Sequence, residues 1–509
     1  MNVGHVQLRR NLYSNMASLL VNICIGILYT PYLVRELGIS AYGLVPLALI
    51  INQYIGVLTD ALTSSLTRFY MIAIQEENWQ SASRYLSSSF FLILGIILLC
   101  SIPAFVFVDR IDSVFNIPEA VLVSAKYLFA FTILSFFCSL ISSILNIVLF
   151  TLNRLDYLNV IKIIRGAVKP FLVFVFFNCI AIDLTYIGLA NVIGELVILG
   201  CSYWFYKKFT HPQIKLSLGH FNKTALVSLV VMSVWVIVQS VGDLGIYRID
   251  VVILNLFWST KESGIIGSFS ELGAYLSIIS VLFVSLFGPL ILNAYSQGDH
   301  EKVKELTLDN SLIIGIAVAV MVGVLIGFSN FVVTFWLGEA FTSYTRWFSI
   351  KLILLPFYTA AGFFVNVTRS WNKVRFPALM TVLFGLLNFA LIYSVAQFFE
   401  KTNQSIDWIL MISLIFGILQ SYFLNGLYFS KLYKNTIKVV CLNFIKTASV
   451  LAVVAFTCSF VSAYLIGRNT LTNVVVILLL GMFFLPLSLG VFLDKRQRNA
   501  LIQIVLKNK

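Results

Sequence analysis

The sequence predicts an all-α, polytopic membrane protein of about 14 spanning helices. Three observations predict it. Of 509 residues, 59% are hydrophobic and 11% charged, and the mean hydropathy is +0.94. Apolar runs of about 20 residues, the length that crosses a bilayer as a helix, recur along the whole chain. The short alternating segments of a membrane β-barrel do not occur.

The runs fall at approximately 11–34, 42–64, 86–108, 121–150, 157–182, 185–206, 224–258, 263–292, 307–334, 346–369, 377–397, 407–430, 441–466 and 472–493. The first is too long for a signal peptide and lacks a small-residue cleavage site, so it reads as the first span. The seventh would be about 52 Å long as a straight helix, more than a bilayer needs. The SVGDLG segment at 240–245 is the expected bend, with Asp243 in it. An even number of spans puts both termini on one side. About 26 of the 35 basic residues lie on the face shared by the N-terminus and every second connector. Lys207, Lys208, Lys215 and Lys223 are among them, as are Lys495, Arg496 and Arg498 of the tail at 494–509. The positive-inside rule makes that face cytoplasmic, and it accounts for the net charge of +13 without nucleic acid.

The connectors are short and leave no room for a soluble domain. No GxxxxGK[ST] phosphate loop is present. The external loops are too small for the catalytic acids of a membrane glycosyltransferase or polymerase, which argues against an enzyme. The seven cysteines lie mostly inside apolar runs without a CxxC pair, so they read as packing residues, and neither metal nor cofactor is expected.

The chain aligns with itself at an offset of 221. ISAYGL (39–44) falls on TKESGI (260–265), with Gly43 on Gly264, and NWQSASRY (78–85) falls on DHEKVKEL (299–306). At an offset of 219, NRLDY (153–157) falls on NKVRF (372–376) and Gly166 on Gly385. The expected organisation is a six-helix lobe at 1–215, a second at 220–435 and two added spans at 441–493 before the tail. Both lobes start on the same side, so the repeats are parallel, an arrangement suited to alternating access around a central site.

Polar residues inside the spans form stripes. Asn11, Asn15, Ser18, Asn22 and Tyr29 share one face of the first span. The repeat offset carries Ser18, Asn22 and Tyr29 onto Gln239, Asp243 and Asp250, with Arg248 nearby. Such a stripe is either a hydrogen-bonded helix seam or a cavity lining. Intramembrane carboxylates are costly and usually functional. Asp243, Asp250, Glu195 and Glu271 are therefore candidates for coupling to a driving ion, with Asp60 at the end of the second span a further one.

The fifth span carries Lys162, Arg165 and Lys169 at spacings of 3 and 4, on one face. Two readings stand: basic chains snorkelling to headgroups, or a stripe facing an anion. Lys169 lies deepest, where a cation costs up to about 3 kcal/mol on the lenient scale. At offset 219 the second lobe has Thr381, Phe384 and Asn388 instead. The architecture does not demand cations there.

PYLVRELGISAYGL (31–44), LTRFY (66–70) and RIDVVILNLF…ESGIIGSFSEL (248–272) resemble segments of bacterial polysaccharide export flippases. These belong to the multidrug/oligosaccharidyl-lipid/polysaccharide exporter superfamily, and the resemblance runs the length of the chain. It implies the two-lobed fold of the multidrug-extruding transporters and a flippase for undecaprenyl-diphosphate-linked oligosaccharide, such as O-antigen or teichoic acid precursors. It places the protein in the bacterial cytoplasmic (inner) membrane, beside polysaccharide polymerase and assembly proteins. It implies H+ or Na+ coupling, cations on the diphosphate, and Arg68 as the basic residue closing the second span. The lipid II flippases carry basic residues in the first span, where this chain has Asn11, Asn15 and Asn22. On this reading Lys162, Arg165, Lys169, Arg68 and Arg248 hold the diphosphate, and Asn15 and Asn22 face sugar hydroxyls. A cation-coupled multidrug exporter is the alternative, and it would want an acidic, aromatic cavity with few cations.

Overall fold

The computed structural model describes residues 2–371, 373–434, 436–464, 470–494 and 497–498, and most of the tail lies outside them. Among these residues the chain is all-helical. The α-helices in order are α1 Asn2–Leu37, α2 Ile39–Tyr42, α3 Leu44–Gln75, α4 Trp79–Asp109, α5 Ile111–Val114, α6 Leu122–Thr151, α7 Leu155–Cys179, α8 Leu184–Phe209, α9 Lys223–Tyr247 and α10 Ile249–Phe257. There follow α11 Thr260–Ser296, α12 His300–Gly327, α13 Ser329–Leu337, α14 Thr345–Ile353, α15 Leu355–Ser370, α16 Arg375–Phe398, α17 Asn403–Ile418, α18 Asn425–Leu432, α19 Ile437–Tyr464 and α20 Thr470–Phe492. Eleven stretches of described helix are long and apolar enough to cross a membrane. The expected spans 42–64, 157–182 and 263–292 fall on α3, α7 and α11, helices of 32, 25 and 37 residues. This is a multi-pass membrane protein.

The chain folds as two units, Met1–Ser268 and Phe269–Lys509. In the first, α6 lies along α8, α7 lies between α1 and α8, and α3 packs on α6 and α9. Leu66, Leu86, Ile144 and Leu229 sit in its core. In the second, α12 is enclosed by α15, α19 and α20. Its Gly315 lies so close to α19 that a Cβ there would come within 2.8 Å of Thr447 Oγ1, and Gly327 lies against buried Cys458. Small residues let the two backbones approach, which is how helices associate without a hydrophobic drive in lipid.

Local signals explain where helices begin. Asn78 accepts the Ser81 N–H ahead of α4, and Asp299 accepts the Lys302 N–H ahead of α12, each at 3.0 Å. These caps satisfy N–H groups that the first turn leaves open. The two caps stand at the repeat offset from one another. Gly43 and Gly264 meet face to face, and a Cβ on Gly264 would lie 2.7 Å from Gly43 Cα.

The bend expected at 240–245 is elsewhere. The helix runs unbroken through Gly242, Asp243 and Gly245, and it breaks at Arg248, whose φ of −129° and ψ of −15° leave the helical region. Glycine weakens a helix but keeps its N–H, so the ladder continues through both glycines. The single run at 224–258 is therefore two helices, α9 and α10. The short α10 is tied by Asn116, whose backbone N–H donates to Asn255 Oδ1 at 3.2 Å and whose Nδ2 donates to the Asn255 carbonyl at 2.8 Å.

Candidate functional site: two cations on a buried glutamate

Helix α7 begins after Asn153, whose φ of 55° turns the chain out of α6. Asn11 of α1 holds that turn. Its Nδ2 donates to the Asn153 carbonyl at 3.0 Å, and its Oδ1 accepts the Asp156 N–H at 3.1 Å. Gln7 Nε2 donates to Asp156 Oδ1 at 3.0 Å, and Arg154 and Arg10 pair with the same carboxylate at 3.3 and 3.4 Å. Arg154 also lies over the rings of Tyr157 and Phe209, at 4.4 and 5.0 Å from their centroids. One turn on, Asn159 Nδ2 donates to Ser14 Oγ at 3.0 Å. This knot fixes the rotation of α7 against α1.

The same seam continues to Gly166, where a Cβ would collide with Asn22 Oδ1. The Asn22 amide donates to the Ser18 carbonyl at 2.6 Å. Asn11 and Asn22 thus belong to the contact of α1 with α7. Asn15, on the same face, is half-buried.

The rotation so fixed turns Arg165 and Lys169 toward α8. Arg165 Nη2 donates to Glu195 Oε1 at 2.7 Å, and Lys169 Nζ pairs with Glu195 Oε2 at 3.4 Å. Glu195 is 2% exposed, while the Arg165 and Lys169 side chains keep 40% and 26%. Gly194 makes the crossing possible, because a Cβ there would sit 2.8 Å from Lys169 Cγ. Pro170 follows Lys169 and removes one N–H from the ladder of α7. Arg165 Nε is buried with no hydrogen-bond partner among the described residues. Lys162, one turn earlier, is exposed and makes no ion pair among the described residues. One carboxylate thus faces two cations, a third cation stands beside them, and a guanidinium N–H is left over. The cluster carries a surplus of positive charge.

The other expected residues lie on or next to other helices. Asp250 is fully buried in the first turn of α10, where its Oδ1 accepts the Val251 N–H at 2.9 Å. A carboxylate suits the positive end of a helix. Asp243 and Arg248 are half-buried in and just after α9, and Glu271 is half-buried on α11 in the second unit. Asp60 and Arg68 lie on α3, but their side chains fall outside the described residues.

The family described as "Polysaccharide biosynthesis protein" matches residues 8–292, more than half of the chain, with Arg165, Lys169 and Glu195 inside the match. The chain belongs to this family. A Bacillus subtilis (strain 168) relative, the uncharacterized membrane protein EpsK, is 24% identical over 388 residues, covering 75% of each chain. Among solved structures, the lipid II flippase MurJ in an inward closed conformation aligns with a TM-score of 0.66 at 16% identity, over 94% of this chain and 98% of that one. An inward-facing multidrug resistance MATE transporter of the MOP superfamily aligns with a TM-score of 0.62 at 14% identity, over 84% of this chain and 99% of that one. At these identities the two structures show the fold. It is the fold that these two transport proteins share.

Proposed function

We propose that this family member is a flippase that carries an undecaprenyl-diphosphate-linked oligosaccharide, such as an O-antigen precursor, across the bacterial cytoplasmic membrane for surface polysaccharide assembly. The observation that carries the reading is the surplus of cations on α7. Lys162, Arg165 and Lys169 stand on one face of a helix in an apolar chain, and the last two share a single carboxylate. A diphosphate is the anion that such a cluster fits. It presents several oxygens to the planar guanidinium and the ammonium groups, in surroundings of low dielectric where each contact is stronger than in water. The family match and the MurJ-like fold support a lipid-linked cargo.

Loop charge puts both termini in the cytoplasm. The two units alternate access, and H+ or Na+ acts on intramembrane carboxylates, with Asp243, Asp250, Glu271 and Asp60 as candidates beside Glu195. Any driving ion must bind the two access states with different affinity. Polymerase and assembly proteins are the expected neighbours.

The test is ligand-induced thermal stabilisation of the purified protein by undecaprenyl diphosphate. The wild type is expected to be stabilised, and the Lys162→Ala/Arg165→Ala/Lys169→Ala variant is not. Equal stabilisation of both would remove α7 from the binding site. A response to cationic dyes in place of the lipid would favour a multidrug exporter.

A further inference from the structure

We infer that Glu195 occupies the anion site in place of the cargo, so that a diphosphate binds only by displacing it. The inference rests on the substrate reading above. In the resting arrangement the Glu195 oxygens hold Arg165 at 2.7 Å and Lys169 at 3.4 Å. These are the positions that two phosphate oxygens would take. Glu195 is nearly inaccessible, so it cannot swing to water when its cations are taken.

Displacement therefore strands a buried carboxylate, and breaking a buried pair is costly because the charge left behind is uncompensated. A ligand must offset that cost. A phosphate monoester engages the two cations that Glu195 gives up and little else. A diphosphate also reaches the exposed Lys162 one turn away. Glu195 is thus a specificity-determining residue that sets a threshold which a diphosphate passes and a monophosphate does not. It also returns the cargo. Once the access state changes, the carboxylate reclaims Arg165 and Lys169 and expels the headgroup, so binding stays weak enough for release.

Gly194 and Gly166 fit this role. They leave Lys169 room to cross to α8 and set α7 close to Asn22 of α1. The helices packed along α8 are α6 and α7. The charged groups they bring to Glu195 are Arg165 and Lys169 from α7.

The experiment measures Kd for undecaprenyl diphosphate and undecaprenyl monophosphate on the purified full chain. Wild type, Glu195→Asp and Glu195→Gln are compared, with melting temperatures read alongside to establish folding. Wild type is expected to prefer the diphosphate by tenfold or more. Glu195→Gln, an isostere that still accepts a hydrogen bond, is expected to bind both lipids at least tenfold tighter, with the preference reduced, and to turn over more slowly. Glu195→Asp holds the cations less closely and should fall between. It decides the matter alone if the glutamine variant does not fold. Folded variants that bind the diphosphate no tighter than wild type would overturn the displacement while leaving the substrate reading intact. Absence of binding in wild type and variants alike would overturn the substrate reading, and the displacement with it.

Discussion

Helices α7 and α8 of the first unit and α16 and α17 of the second share a framework and differ in chemistry. Helices α7 and α8 start at Leu155 and Leu184, and α16 and α17 start at Arg375 and Asn403, in step with the repeat. Asp183 caps α8 by accepting the Thr185 N–H at 2.8 Å, and Thr402 caps α17 by accepting the Ser405 N–H at 3.3 Å. These two caps correspond at the offset of 219. At that offset, Lys162, Arg165, Lys169 and Glu195 become Thr381, Phe384, Asn388 and Leu414. Thr381 is buried and accepts the Gln420 amide at 3.0 Å. Phe384 meets Phe416 edge-on at 5.9 Å, and Asn388 and Leu414 are buried. The comparison teaches that caps and apolar faces build the helix pair. The charged cluster is an addition that the fold does without in its other half.

The largest effect should come from erasing that difference. The combined Arg165→Phe/Lys169→Asn/Glu195→Leu variant imports the second unit's residues into the first. Replacing a buried charge cluster by packed neutral residues is neutral to stabilising, by about 1–4 kcal/mol. The melting temperature should therefore hold or rise, while complementation of surface-polysaccharide export falls to background. The single variant Glu195→Leu should do worse in stability, because it leaves two cations against apolar atoms. The cost is about 1–3 kcal/mol, below that of a fully buried broken pair because Arg165 is partly exposed. Export that survives the triple change would place the function outside α7.

A second pair of variants separates the seam from the site. Gly166→Ala drives a methyl into Asn22, whose amide is tied to Ser18. Overpacking of this kind costs about 1–3 kcal/mol, less the roughly 1 kcal/mol that alanine gains in a helix. Gly194→Ala meets only the flexible Lys169 side chain, most closely at Cγ. Its stability should change by less than about 1 kcal/mol, but Lys169 is pushed off its path to Glu195 and lipid affinity should change. Melting temperature and lipid Kd, read together, sort the two. Equal effects on both readouts would mean that seam and site are one structure.

Much of this is legible in the sequence, and the remainder fails for a definable reason. Hydropathy locates the spanning helices, and the repeat offset predicts that Gly43 and Gly264 are counterparts. Spacing puts Arg165 and Lys169 on one face and Asn11 with Asn22 on another. Periodicity says which residues share a face and not what that face meets. So Glu195, far along the chain from Arg165, stands in the sequence as a separate acid, and the asparagines of α1 as a stripe without a partner. Their pairing depends on the rotation of α7, which Asn11, Asn153 and Asp156 set through bonds between distant parts of the chain. The only sequence signal for that knot is the Gln7/Asn11 amide pair one turn apart, facing a polar turn at 153–156. The break at Arg248 was hidden for another reason: the glycines that mark flexibility at 242 and 245 remain in a regular helix.

The smallest effect sharpens the comparison at the start of these helices, where Asp156 in the first unit corresponds at offset 219 to Arg375 in the second. Asp156 precedes the expected span. Burial pushes its carboxyl up, but the hydrogen bonds from Arg154 and Gln7 and the charges of Arg154 and Arg10 outweigh that and hold it below the usual carboxylate range. A carboxyl depressed in the folded state adds stability that is complete above its unfolded value of about 4, and that is lost as pH falls through the folded value. The melting temperature of wild type should therefore exceed that of Asp156→Asn near neutrality, and the gap should close as pH is lowered from about 6 to about 3. Hydrogen exchange should place the acid-labile step at the α1–α7 seam and spare the start of α16, which has no such carboxylate. A gap that stays constant over this range would mean that the neutral amide bonds of Asn11 and Asn153 orient α7. The arginines around Asp156 would then only balance its charge.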